Sequence, residues 1–257
     1  MFEENIPIFR KHTVLKAEML TESLSYQMEM MKHLYERYAN GIIAGAQIIV
    51  EGMNLIVQPG IIKYGDTLYQ MKERKVISYH SDDKTTYLFL RFTESHIEGD
   101  YRKSSSEVFM ASDEELRETD LELCHFTIKS GAKLRQSYQD FKDYATEFDT
   151  VNIVNVPYSG IGGSTLSPKI TTCFGEEMMK YELTSPYDIA FIMECLKGEV
   201  VNRRVITFYI SKRINVTTTD TLPNAKIHQY LQQIIEKVKY GEKSSVTERP
   251  IRRMIVD

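Results

Sequence analysis

Between Gly41 and Met71 the chain reads GIIAGAQIIVEGMNLIVQPGIIKYGDTLYQM, and this stretch leaves little room for anything but short strands. β-Branched and apolar runs at Ile42 to Val50, Leu55 to Val57, Ile61 to Tyr64 and Leu68 to Met71 are separated by Glu51-Gly52-Met53-Asn54, Pro59-Gly60 and Gly65-Asp66. Those separators carry the residues that tight turns require, so the expectation is an antiparallel meander. Further candidate strands follow at Val76 to Tyr79, Thr85 to Phe92, Ser106 to Ala111 and Leu121 to Lys129. Many short strands broken by glycine and proline favour a small sandwich or barrel.

Helical periodicity flanks this β-rich stretch on both sides. From Thr13 to Tyr38, the residues Leu20, Leu24, Met28, Met31, Tyr35 and Tyr38 recur at three- and four-residue steps, with Thr13 as a candidate cap and Gly41 past the end. Methionine adapts to irregular partners, so this face is expected either to pack on its own domain or to meet another subunit. Beyond Lys129, GAKLRQSYQDFKDYATEF spaces Leu134, Tyr138, Phe141 and Tyr144 as a helix would. Ser167-Pro168 and Ser185-Pro186 each place a hydroxyl cap before a proline suited to a first helical turn. NRRVITFYISKR suits strand or helix and is read as helix from its neighbours. From Pro223, the residues Ile227, Tyr230, Leu231, Ile234, Ile235 and Val238 make a clean amphipathic pattern that Gly241 stops. The fold class is therefore α+β: an N-terminal helix, an antiparallel β-sandwich or barrel-like domain, then an α-helical domain. The expected divisions are an N-terminal arm and helix (1–40), a β-rich domain (41–130), a helical domain (131–240) and a C-terminal tail (241–257).

Charge and chemistry narrow the function classes. A formal charge of -4 argues against a general nucleic-acid binder, which normally presents a basic face. No run of roughly 18 apolar residues suggests a membrane span, and the N-terminus lacks a signal-like core. Cys124, Cys173 and Cys195 are odd in number and widely spaced, so they read as buried thiols in a reducing compartment rather than as a disulfide or zinc framework. No two histidines fall at the spacing that sets two ligands on one helix face, and no metal or cofactor is expected. Cys124 and His125 are strand neighbours and point to opposite faces, which spoils a nucleophile-base pair. SDD at Ser81 to Asp83 and SDEEL at Ser112 to Leu116 read as solvated turns. YRKSSSE, from Tyr101 to Glu107, reads as a mobile loop tip.

The stretch YSGIGGSTLSPK, Tyr158 to Lys169, follows VNIVNV and precedes a helix, the order in which phosphate loops occur. Thr165 stands where a dinucleotide fingerprint needs its third glycine, and no lysine separates Gly163 from Ser164. The reading preferred is a flexible joint, with a phosphate-ligand enzyme as the alternative.

The segments IPIFRKHTVLKAEMLTESL and YANGIIAGAQIIVEGMNLIVQPGIIKYGDTLYQM together resemble the opening of baseplate and tail-fibre adaptor proteins from contractile tails. Those families include phages, phage-tail-like bacteriocins and, more remotely, the type VI secretion baseplate adaptor. The landmarks are Gly41, Ile42, Ile43 and Gly45, then Pro59, Gly60 and Gly65. LSPKITTCFGEEMMKYELTSPYDIAFIMECL is similar to the helical part of such adaptors, while residues 82–149 align with nothing, and no long fibrous C-terminal region is present. The resemblance implies a homo-oligomeric, non-enzymatic structural component linking the baseplate wedge or hub to receptor-binding fibres. It would be assembled in the bacterial cytoplasm and reside in the tail-like particle, without nucleic-acid or membrane partners. The interface candidates are Leu24, Met28, Met31 and Tyr35 on the first helix, and Arg252, Arg253, Met254 and Ile255 in the tail, where RMIVD would add as a strand to a neighbour's sheet edge. A cytoplasmic scaffolding or regulatory module is the other alternative.

Overall fold

The computed structural model describes residues 7–8, 10–12, 14–81, 83–112, 115–219 and 221–240. Helix α1 spans Ala17–Tyr35. Thirteen strands follow: β1 (Gly41–Gly45), β2 (Ile48–Glu51), β3 (Asn54–Val57), β4 (Gly60–Tyr64), β5 (Thr67–Met71), β6 (Lys75–Ser78), β7 (Thr85–Phe92), β8 (His96–Glu98), β9 (Tyr101–Lys103), β10 (Ser106–Ala111), β11 (Leu121–Thr127), β12 (Tyr158–Gly160) and β13 (Gly163–Thr165). Helices α2 (Pro168–Met178), α3 (Pro186–Cys195), α4 (Arg203–Ile214) and α5 (Asn224–Lys239) complete the described chain. The sequence of elements matches the α+β expectation, but the sheets do not close into a barrel. They form a five-stranded sheet in the order β13-β12-β1-β4-β5, two three-stranded sheets, β10-β7-β11 and β2-β3-β6, and the β8-β9 hairpin.

The long run expected from Ile42 to Val50 is split, because the backbone turns at Gly45-Ala46, both at positive φ. A Cβ on Gly45 would lie 2.1 Å from the Pro59 carbonyl oxygen, and one on Gly60 only 2.4 Å from the Ala46 nitrogen. The two glycines therefore let β1 and β4 touch at their paired ends, Gly45 opposite Gly60, with the Ala46 N–H donating to Pro59 O at 3.0 Å. Most other strands fall where apolar alternation puts them. β11 carries a register shift between Glu122 and Cys124, which lets Leu123 and Cys124 both be buried.

Two expectations fail. Residues 131–148 form no α-helix; only Lys142–Ala145 make a short 3-10 turn. Side-chain acceptors take the backbone donors that a helical ladder would need: Asp143 accepts from Gln139 N at 2.8 Å, and Asp140 accepts from Asp143 N at 2.9 Å. Arg135 is also tied to Thr150 through a parallel bridge, so Leu134 enters the β core while Phe141 and Tyr144 enter the helical one. The glycine-rich stretch is likewise no joint. Tyr158, Ser159 and Gly160 pair with Thr165, Ser164 and Gly163 in a tight hairpin, and β12 runs parallel to β1, Ile42 opposite Tyr158.

Two apolar clusters result. One gathers Ile42, Leu55, Val57, Leu88, Leu123 and Phe126 from the sheets. The other gathers Phe141, Ile170, Phe174, Phe191, Ile206 and Leu231 from the helices and the 3-10 turn, and Ile153 packs against both. The Ser-Pro helix starts appear as read, though only Ser167 caps with its side chain, accepting from Lys169 N at 3.3 Å. NRRVITFYISKR is helical, as its neighbours suggested. Asn202 Oδ1 accepts from Arg204 N at 2.8 Å at its start, and Asn215 in the left-handed region closes it.

Candidate interaction surface

Helix α1 leaves the body of the protein almost untouched: not one of its residues is buried. Leu24, Met28 and Leu34 are 61%, 72% and 62% exposed, and Leu20, Tyr26, Met30 and Met31 are exposed with them. Of the interface candidates here, Leu24, Met28 and Met31 stand free on this face, while Tyr35 is half-buried against Tyr38, ring centroids 5.2 Å apart. Packing on its own domain, one of the two fates expected for this face, is not what the structure shows. The other candidates, Arg252, Arg253, Met254 and Ile255, lie outside the described residues, as does the Thr13 cap.

What holds α1 is the segment just after it. Ala39 N–H donates to Gly160 O at 2.9 Å, Gly162 N–H donates to Arg37 O at 3.0 Å, and Ser159 Oγ donates to Ala39 O at 2.5 Å. Tyr38 forms an antiparallel bridge with Ile161. The hairpin of β12 and β13, which the sequence suggests as a flexible joint with a ligand loop as the alternative, is thus a clamp on the segment that follows α1. Nothing in the local sequence of either segment announces this contact, because its partners lie more than a hundred residues apart.

A cleft of ≈ 620 Å³ opens between β1 and α2, lined among others by Ala44, Tyr138, Tyr144, Lys169, Cys173 and Glu176. Burial, reinforced by Glu177 and Glu176, pushes the Cys173 thiol up to about 11, and burial raises Cys195 to about 12. These thiols are protonated at neutral pH and are poor nucleophiles. Cys124 is fully buried, and His125 beside it instead contacts Glu122, Nδ1 to Oε1 2.6 Å. Among the described residues no cluster of three or more histidine, cysteine, aspartate or glutamate side chains is arranged to hold a metal ion. No described helix is long and apolar enough to cross a membrane.

The charged groups inside the body are held by specific partners. Arg135 donates two bonds of 2.6 Å to Asp143, a fork that holds the Asp143 carboxyl well below the usual carboxylate range despite its desolvation. Asp188, 1% exposed, accepts from Tyr209 OH at 2.8 Å and pairs with Arg213 Nε at 2.8 Å. His228 in α5 stacks on Phe141 and meets the Phe141 carbonyl at 2.9 Å; burial pulls its pKa down. Sequence reading missed these networks, along with the β8-β9 hairpin, whose second strand opens the stretch read as a loop tip and for which Gly99-Asp100 was the available turn signal.

No family model matches the chain, and no curated protein matches it. Among solved structures the chain is similar to TssK in its crystal structure, with a TM-score of 0.40 and 7% identity over 91% of this chain and 72% of that one. It is also similar to a chain of the baseplate complex from the type VI secretion system, with a TM-score of 0.35 and 8% identity over 91% of this chain and 100% of that one. Both are weak structural neighbours, and at such TM-scores neither carries a functional argument.

Proposed function

We propose that this protein is a non-enzymatic structural component of a contractile-tail baseplate, joining the wedge or hub to receptor-binding fibres. The observation that carries the reading is the placement of the residues on which the adaptor resemblance rests. Gly41, Ile42, Ile43 and Gly45 form β1, Gly60 opens its partner strand β4, and Gly65 lies in the turn to β5. Gly45 and Gly60 occupy positions where any side chain would strike backbone, so this part of the motif is a packing requirement of one sheet rather than chance composition. The exposed apolar face of α1 suits a subunit that is completed by neighbours. In this reading the chain assembles in the bacterial cytoplasm and resides in the tail or tail-like particle of a phage or bacteriocin.

The test is to sediment large particles from a producing culture and quantify this chain by mass spectrometry. A fixed ratio to sheath and tube proteins is the expected result. Recovery only in the soluble fraction would sink the proposal.

A further inference from the structure

The apolar side chains of α1 follow a seven-residue order. Leu24 and Met31 are seven apart, as are Leu20, Gln27 and Leu34, and the two sets interleave at three- and four-residue steps. On the opposite side of the helix Glu22, Glu29 and Glu36 form a column with the same seven-residue period. A heptad repeat keeps an apolar seam turned towards another helix of the same kind, and an irregular groove would not demand it. The seam is also broad. At about 100° per residue, Met30, Leu34, Leu20, Met31, Leu24 and Met28 sweep more than 150° of the circumference, wider than the narrow stripe of a two-stranded coiled coil. The six side chains of that face present on the order of 700 Å², close to what each partner covers in a standard-sized interface.

The polar face argues against a lipid occupant. Within α1, Glu18, Glu22 and Glu29 outnumber Lys32, whereas helices that lie on membranes are rich in lysine and arginine there. We infer that α1 is the seam of a closed homo-oligomer, in which α1 helices from three or more copies of this chain pack around one rotation axis and point the same way. Each helix then buries its broad face against two neighbours; Gln27, near the middle of the seam, fixes their register, and Ser23 lies nearer its margin. The inference stands apart from the baseplate reading and can fail without it.

Sedimentation velocity of the full chain at micromolar concentration tests the copy number. The expected mass is three times 29.9 kDa or a higher multiple. One or two copies would overturn the inference. Leu24→Glu with Met31→Glu is expected to yield monomers whose thermal melt matches that of the wild-type body, while Glu29→Gln on the outer column leaves the mass unchanged. An oligomer that survives the double substitution, or a double variant that no longer folds, would remove α1 from the seam. Leu20→Cys, near one end of the helix, checks direction. Rapid oxidative cross-linking between copies is expected for helices that point the same way, and its absence would overturn the parallel arrangement.

Discussion

Helices α1 and α5 are alike in sequence and opposite in circumstance. Both are amphipathic and of similar length, yet α5 buries Ile227, His228, Leu231, Ile234 and Ile235 while α1 buries nothing. The difference lies in what the rest of the chain offers each apolar face. Around α5, the phenylalanines, tyrosines and isoleucines of α2, α3 and α4 close a core; α1 is held instead through backbone bonds of Arg37 and Ala39, in the segment just after it. Periodicity tells which face of a helix wants burial, and it is silent on whether the partner is in the same chain.

The largest effect should come from putting the same charge on both helices. Leu231→Asp would bury a carboxylate without a partner and is expected to cost about 4 kcal/mol or more, whereas Leu24→Asp should change monomer stability by no more than about 0.5 kcal/mol. Urea unfolding of both variants, the second measured below its association range, gives the comparison directly. Equal losses would mean that α1 is part of the body.

The β sheets permit the same contrast at a smaller scale. Gly45→Ala would drive a methyl group into the Pro59 carbonyl and is expected to cost about 3 kcal/mol, while Gly52→Ala, whose added Cβ would meet nothing within 4 Å, should cost only about 1 kcal/mol for its positive φ. Matched denaturation curves would separate the two.

Acid should act on the body through two groups. His228 and Asp143 both have folded-state pKa values below their unfolded ones. Each therefore contributes stability that is present above its unfolded pKa, about 6.5 and 3.9 respectively, and is lost as pH falls through the folded value. The urea midpoint is expected to decline as the pH is lowered from 7. Asp143→Asn should flatten the part of that decline below about pH 4, at the cost of a lower midpoint at neutral pH. A profile unchanged by Asp143→Asn would show that the Arg135 fork has no energetic weight.

The mildest probe is oxidation. In the monomeric variant, peroxide should convert Met28 and Met30 to sulfoxides well before Met178, which is 0% exposed. In the wild-type assembly the two should be protected, and peptide mass spectrometry reads both states.

Most strands and four of the five helices could be read from sequence because each is specified locally, by alternation, by turn glycines or by a capping residue. The segment 131–148 was not, since Leu134 and Phe141 share a helical spacing but serve different cores, and the aspartates there bind backbone donors that periodicity cannot see. The candidate surface was half legible. Leu24, Met28 and Met31 announced an apolar face, but its exposure depended on the packing of everything else. The hairpin at Tyr158 to Thr165 reads in sequence as a flexible joint because its glycines permit one, whereas they serve a tight turn and a close backbone contact between two paired strands.

That hairpin has a consequence for the order of events during synthesis. The residues that grip Arg37 and Ala39 are Gly160 and Gly162, so a nascent chain displays α1 on the ribosome long before its clamp exists. Early helices are free to swing, and identical helices on neighbouring nascent chains can meet only in haphazard orientation. The direction of α1 relative to the body is set once β12 docks beside β1, so the inferred α1 seam would form in register only after residues 158–165 have been made.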